Sequence, residues 1–338
     1  MKTTHLLLSI PLVFLAASGC TSDELQEKPQ TNEKGEYAVH FNGNMDMTLT
    51  KTSTTDVATG VKATISAYTK DDDVTSKTVI VSNGYTVGQT AGTFVGDADF
   101  VMYLPKGNYD FYAVSTNSTA DAPTFTNGVS AKLDNGIDYI YAKAANQEVG
   151  NDTKNITLAF QRKAVLVEIT VKGSESDGLA LVSWQTTDPA IITPPEVTSG
   201  NTMALATGVI TPASSIANDI PSSPSTASAG KMTTASEGGF TASYIMLPVE
   251  TGKTLKVQFK VNVKIGGRND PNGETKTYTA NLTAPSQEPG ASTAFLSGKK
   301  YTYTATLKAN KITFTGATVA DWTTVNTTDD LNPTEPAS

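Results

Sequence analysis

Apolar and polar residues alternate with a period of two along most of this 338-residue chain. The clearest run is LKVQFKVNVKI at 255–265. Leu255, Val257, Phe259, Val261, Val263 and Ile265 fall on one face, and Lys256, Gln258, Lys260, Asn262 and Lys264 on the other. A strand with one buried side and one wet side has that pattern. YTYTATL at 301–307 sets Tyr301, Tyr303, Ala305 and Leu307 against intervening threonines. Further strands are predicted at 61–68, 78–82, 99–104, 108–115, 137–143, 155–160, 164–171, 180–184, 243–247, 277–282 and 311–316. Asn-Gly pairs at 83–84, 127–128, 135–136 and 272–273, with PKGN at 105–108, mark turns between them. Helical periodicity never extends beyond about two turns, so the fold class is all-β.

The strand count predicts two tandem sandwiches of roughly seven strands each, comparable to immunoglobulin-like layers. The chain divides into a signal peptide at 1–19, a flexible tether at 20–36, an N-terminal sandwich at 37–160, a C-terminal sandwich at 161–326 and a mobile tail at 327–338. The boundary falls near FQRKA at 160–164. Residues 211–239 lack alternation and read as a long loop inside the second unit.

The first strand candidates are YAVHF at 37–41 and MDMTLT at 45–50. Tyr37, Val39 and Phe41, then Met45, Met47 and Leu49, point one way. The intervening Asn42-Gly43-Asn44 reads as a bulge or a hairpin turn. Lys51 and Thr52 follow at the start of a threonine-rich loop.

Composition narrows the chemistry. The formal net charge is −8, which leaves no basic footprint for nucleic acid. There are two histidines, His5 and His40, and one cysteine, Cys20, so Ser/His, Cys/His and zinc-type arrangements lack their parts. KDDDVT at 70–75 lacks the spaced ligands of a calcium loop and reads as a solvated turn, as does DADF at 97–100. No catalytic, cofactor or metal site is expected.

Lys2 and the apolar LLLSIPLVFLAA at 6–17 form a targeting segment. As a helix it would span about 18 Å, short of a ~30 Å hydrocarbon core. AASGC then places Cys20 behind small residues. That resembles a bacterial lipobox, with Ala17 where leucine is usual, and implies acylation of Cys20 and anchorage to the outer membrane. A plain secretory signal with a stray cysteine is the other reading. The acidic SDE at 22–24 resembles the signal that exports some Bacteroidetes lipoproteins to the cell surface.

MYLPKGNYDFYAVST (102–116), ITLAFQRKAVLVEITV (156–171), ASYIMLPVETGKTLKVQFKV (242–261) and FLSGKKYTYTATLKANKITFTGATVADW (295–322) together resemble the fimbrillin-like family of Bacteroidetes type V pili. The resemblance implies transthyretin-like sandwiches, a lipidated precursor, and other pilin subunits as partners. It also implies assembly after a trypsin-like protease removes the N-terminal strand, here Tyr37, Val39, Phe41, Met45, Met47 and Leu49. The cut would fall between Lys51 and Thr52, where the family usually has arginine. Otherwise the subunit stays uncut as an anchor or tip. The main alternative is a membrane-anchored lipoprotein that binds a glycan or another host or bacterial surface ligand.

Overall fold

The computed structural model describes residues 31–46, 55–150, 154–197, 201–211, 216–218, 231–234, 239–266, 273–285, 294–309 and 311–322. Cys20, Met47, Leu49, Lys51 and Thr52 lie outside them, as does the tail from 323. Among the described residues the structure is all-β, with two short 3₁₀ turns and no α-helix.

The longer strands of the first half are β1 (Tyr37–Met45), β2 (Lys62–Thr69), β3 (Val81–Val87), β4 (Thr93–Gly96), β5 (Met102–Leu104), β6 (Gly107–Ser115), β7 (Ile140–Val149) and β8 (Lys154–Arg162). They form one sheet in the order β8-β7-β6-β2-β3-β4-β1, and β1 pairs back onto β8, so the sheet closes on itself. Two separate facing layers were expected here; instead one sheet wraps around the core. That core is built from alternate residues of nearly every strand, among them Val39, Phe41, Ile65, Tyr85, Met102, Phe111, Ile140, Leu158 and Phe160.

The second half contains β9 (Val165–Gly173), β10 (Leu179–Trp184), β11 (Ala190–Thr193), β12 (Lys231–Thr234), β13 (Phe240–Met246), β14 (Thr254–Ile265), β15 (Glu274–Thr283), β16 (Lys299–Leu307) and β17 (Ile312–Asp321). One sheet runs β12-β13-β9-β16-β17. In the other, β14 pairs with β15 along nearly its whole length and with β10 and β11 in succession. Residues of both sheets enclose a single core. The lysines of β14 stay outside it while Leu255, Val257, Phe259, Val261 and Val263 are fully buried, as the alternation requires.

Several local expectations are corrected. Asn42-Gly43-Asn44 is neither bulge nor turn: β1 stays in register with β8 from Val39 opposite Lys154 to Met45 opposite Phe160. Asn83-Gly84 lies inside β3, where a Cβ on Gly84 would stand 2.3 Å from the Asp97 carboxylate. There the glycine serves a close approach, not chain reversal. Asn127-Gly128, by contrast, is a true hairpin turn with φ of 47° and 71°. Strands begin later than predicted at Val81, Met102 and Ile140, the second of these after a 3₁₀ turn at Asp97–Asp99. Residues 211–239 are not all loop, because β12 adds an edge strand there and Ile216–Asn218 pairs with Glu196–Val197.

The halves meet where β8 gives way to β9. Tyr68, Tyr112, Tyr139 and Tyr141 on the outer face of the closed sheet pack with Met203, Leu205, Ile210 and Leu247. The Tyr141 hydroxyl donates to the Leu205 carbonyl at 2.9 Å. Beside them Asp138 is buried and accepts from Asn117 Nδ2 at 2.8 Å and from Arg162 Nε at 2.9 Å. The Arg162 guanidinium lies 4.4 Å from the ring centre of Trp322, just past the end of β17.

Burial raises the Asp138 pKa, against the opposing pull of Arg162 and Asn117, and its Oδ1 has no hydrogen-bond partner. Replacing Arg162 by glutamine should therefore cost about 3–5 kcal/mol at neutral pH, because a buried charge loses its partner. The lost cation raises the folded-state pKa of Asp138 further while the unfolded value stays put. The variant's deficit should therefore shrink as pH falls toward the ordinary carboxylate range. Urea midpoints of both proteins across that range provide the check.

Candidate functional site

Strand β1 is the part of the fold on which most of the sequence-derived site residues converge. Its alternation places Val39, Phe41 and Met45 in the core, 2%, 1% and 5% exposed, with Tyr37 half-buried at the rim. Both of its edges are used. Along one edge it runs parallel to β8 over seven residue pairs, Val39–Lys154 through Met45–Phe160. Along the other, three antiparallel segments succeed one another: β5 beside Tyr37 to Val39, β4 beside Phe41 and Asn42, and Thr55–Asp56 beside Asn44 and Met45. Beyond these, the Asp46 amide donates to the Phe160 carbonyl at 2.7 Å.

Phe41 is the anchor of the strand. Its ring makes edge-on contacts with Tyr85 and Phe111, both at 5.4 Å between centroids. Such contacts contribute about 0.5–1.5 kcal/mol beyond burial. The Tyr85 hydroxyl is buried with no hydrogen-bond partner, and desolvation pushes its pKa well up.

Two residues further on, Gly43 faces the core where the rings of Phe94 and Phe160 approach to 6.0 Å. A Cβ on Gly43 would sit 2.6 Å from Phe94, 3.1 Å from Phe160 and 3.2 Å from Val57. Sequence reading missed this residue, although a glycine in phase with Val39, Phe41 and Met45 was the available signal. The seat of β1 is thus a slot with large places at 39, 41 and 45 and a nearly volume-free place at 43.

Of the predicted site residues, the structure brings Tyr37, Val39, Phe41 and Met45 together on this strand. Among the described residues no group of three or more His, Cys, Asp or Glu converges as a metal site would require. Asp73 of the acidic turn accepts from the Thr75 amide at 2.9 Å, the Thr75 hydroxyl at 2.8 Å and the Ser76 hydroxyl at 3.1 Å. Those bonds hold its carboxyl below the usual range and mark the turn as self-capped.

The fimbrillin-like family matches residues 50–322, most of the chain. This chain belongs to the fimbrillin-like family. Solved structures of similar fold include proteins named for cell adhesion from Bacteroides uniformis and Bacteroides ovatus. The first has 18% identity and a TM-score of 0.53 over 86% of this chain and 100% of the other. The second has 17% identity and a TM-score of 0.55 over 86% and 99%. A fimbrial protein from Bacteroides vulgatus has 12% identity and a TM-score of 0.51 over 84% and 99%. At these identities the likeness is one of fold. No curated protein matches.

Changing Gly43 to valine in this fimbrillin-like chain should lower stability by about 1–3 kcal/mol, because the added carbons must displace the Phe94 and Phe160 rings. The same change at Gly252, where a Cβ would meet nothing within 4 Å, tests backbone strain alone because its φ is +79°. Denaturant midpoints of both variants separate crowding from strain.

Proposed function

We propose that the chain is the precursor of a structural or adhesive subunit of a surface fimbria, and that subunits join when β1 is removed and its seat is taken by a strand from another subunit. The two-edged pairing of β1 carries this reading. Removing β1 would leave β8 on one side, and β4 and β5 on the other, with unpaired N–H and C=O groups beside an open apolar trough. An incoming strand would restore ladder and core in one step.

Magnitudes favour exchange over an empty intermediate. Burial of Val39, Phe41 and Met45 contributes about 1.5–3 kcal/mol each. Their sum approaches the 5–15 kcal/mol that typically holds a whole domain together. An empty seat would leave the first half near its limit of stability, so the replacement strand should enter as β1 leaves.

The remaining parts of the proposal follow the sequence. Residues 1–19 target the chain for export, Cys20 carries lipid on the outer membrane, and 20–36 is the tether. Residues 37–160 and 161–326 act as two modules of the subunit, the first a sheet closed on itself and the second two sheets around one core, and 327–338 is a tail. Cleavage between Lys51 and Thr52 would shed lipid and β1 together. It would also leave a product without histidine or cysteine, since His5, His40 and Cys20 all precede the cut.

Terminal sequencing of surface protein sheared from cells should therefore start at Thr52, and the material should run as a heat-sensitive ladder in gels. Protein that starts at Cys20, stays with the membrane and is slowed in polysaccharide-containing gels would instead identify an uncut, glycan-binding lipoprotein.

A further inference from the structure

The second half carries a cleft that its core packing does not account for. Among the described residues β15 pairs with β14 alone and β17 with β16 alone, so each sheet ends in a free edge there. Between the edge of β15 and the turn that joins β16 to β17 lies an open cleft of about 420 Å³. Thr277, Tyr278 and Thr279 line one wall, and Ala309, Lys311 and Ile312 the other. Its volume falls in the range of small-molecule sites, ~300–1,000 Å³. The Lys276 ammonium, also in the lining, reaches from β15 to the Ala309 carbonyl at 3.2 Å and ties the turn to the strand.

Two observations give the cleft a chemistry. The first is a donor without an acceptor. Tyr278 is 5% exposed, and its hydroxyl is buried with no hydrogen-bond partner. A buried tyrosine hydroxyl normally finds one. The second is charge. The chain as a whole is acidic, at −8, yet three lysines gather around this cleft. Lys276 lies 3.8 Å from Glu274, and Lys308 lies 3.2 Å from Asp177. Lys311 is exposed and forms no ion pair among the described residues. One cation is therefore left over, on the wall of the cleft. Thr277 and Thr279 add exposed hydroxyls, and half-buried Ile312 adds an apolar surface.

We propose that this cleft binds a carboxylated sugar, its carboxylate on Lys311, its ring hydroxyls on Thr277 and Thr279, and one ring oxygen accepting from the Tyr278 hydroxyl. Such a ligand matches the lining part for part. A pyranose offers hydroxyls around its rim and C–H groups on its face, the second of these suited to Ile312. A charge-assisted bond from an ammonium to a carboxylate is stronger than a neutral one, which makes the acid the discriminating group. A small inorganic anion would leave most of the volume and its hydroxyls unused. An added peptide strand would need the edge of β15 clear, and the Lys276–Ala309 tie holds the turn against it. The site lies wholly in the second half, so it does not depend on whether β1 leaves its seat.

The test titrates the uncut chain with trigalacturonic acid and with sialyllactose, beside their neutral counterparts galactotriose and lactose, and reads heat of binding. At least one acid should bind about tenfold or more tightly than its neutral counterpart, and which of the two does so tells a uronic from a sialic source. Lys311→Gln should remove that preference. Lys264→Gln, an exposed lysine of β14 outside the cleft, should leave it unchanged. Tyr278→Phe should weaken binding several-fold while the free protein keeps its melting temperature, because the hydroxyl it loses has no partner there. Equal binding of acid and neutral sugars, or equal losses from Lys311→Gln and Lys264→Gln, would overturn the inference. So would sodium sulfate displacing the sugar at equal concentration, or an acidic peptide binding where no sugar does. Because the chain is never cut, each of these results leaves the reading of β1 untouched.

Discussion

The first half of this protein depends on one strand being hydrogen-bonded along both edges while it carries Val39, Phe41 and Met45 into the core. A sheet with β1 in place has no open side in its cyclic order, and so offers little to a passing chain. The same strand is the first in the half and the partner of the last, β8, so the two ends of the half are tied to each other. Closure and core filling are therefore one event. On the function proposed above, an emptied seat would leave this half near its limit of stability.

The second constraint sits at the end of β8. Arg162 closes that strand, neutralises the buried Asp138 and lies over Trp322, so one side chain touches both halves and the end of the final strand. Buried ion pairs seldom add much net stability, because desolvation of both charges offsets their attraction. This pair is better understood as a registration device. A carboxylate with a single cationic partner tolerates few positions of the neighbouring backbone. The tyrosines of β2, β6 and β7 then supply the apolar contact that the pair alone would not.

The sequence made the all-β class legible because burial on one face imposes the period-two pattern directly. β14 is the plainest case: five consecutive inward residues are all buried. The pairing of strands was not legible, since alternation fixes which face is buried but not which neighbour lies alongside. Nothing in YAVHFNGNM announces a parallel partner more than a hundred residues away. Turn signals misled where glycine was needed for space, at Gly43 against two rings and at Gly84 against Asp97. Asn127-Gly128 was read correctly because there the glycine does serve chain reversal, through a positive φ. Of the candidate site, the inward side chains of β1 were readable from the alternation. The volume restriction at Gly43 depends on Phe94 and Phe160, which are distant in sequence and meet only in the fold.

The parallel alignment of β1 with β8 has a mechanical consequence. Force applied along the axis of a strand seated there is carried in shear, so every rung of a seven-pair ladder shares the load and all must give way together. A strand peeled from one end would yield rung by rung at far lower tension. A seat of this geometry grips hardest when pulled lengthwise and releases most readily when lifted at one end.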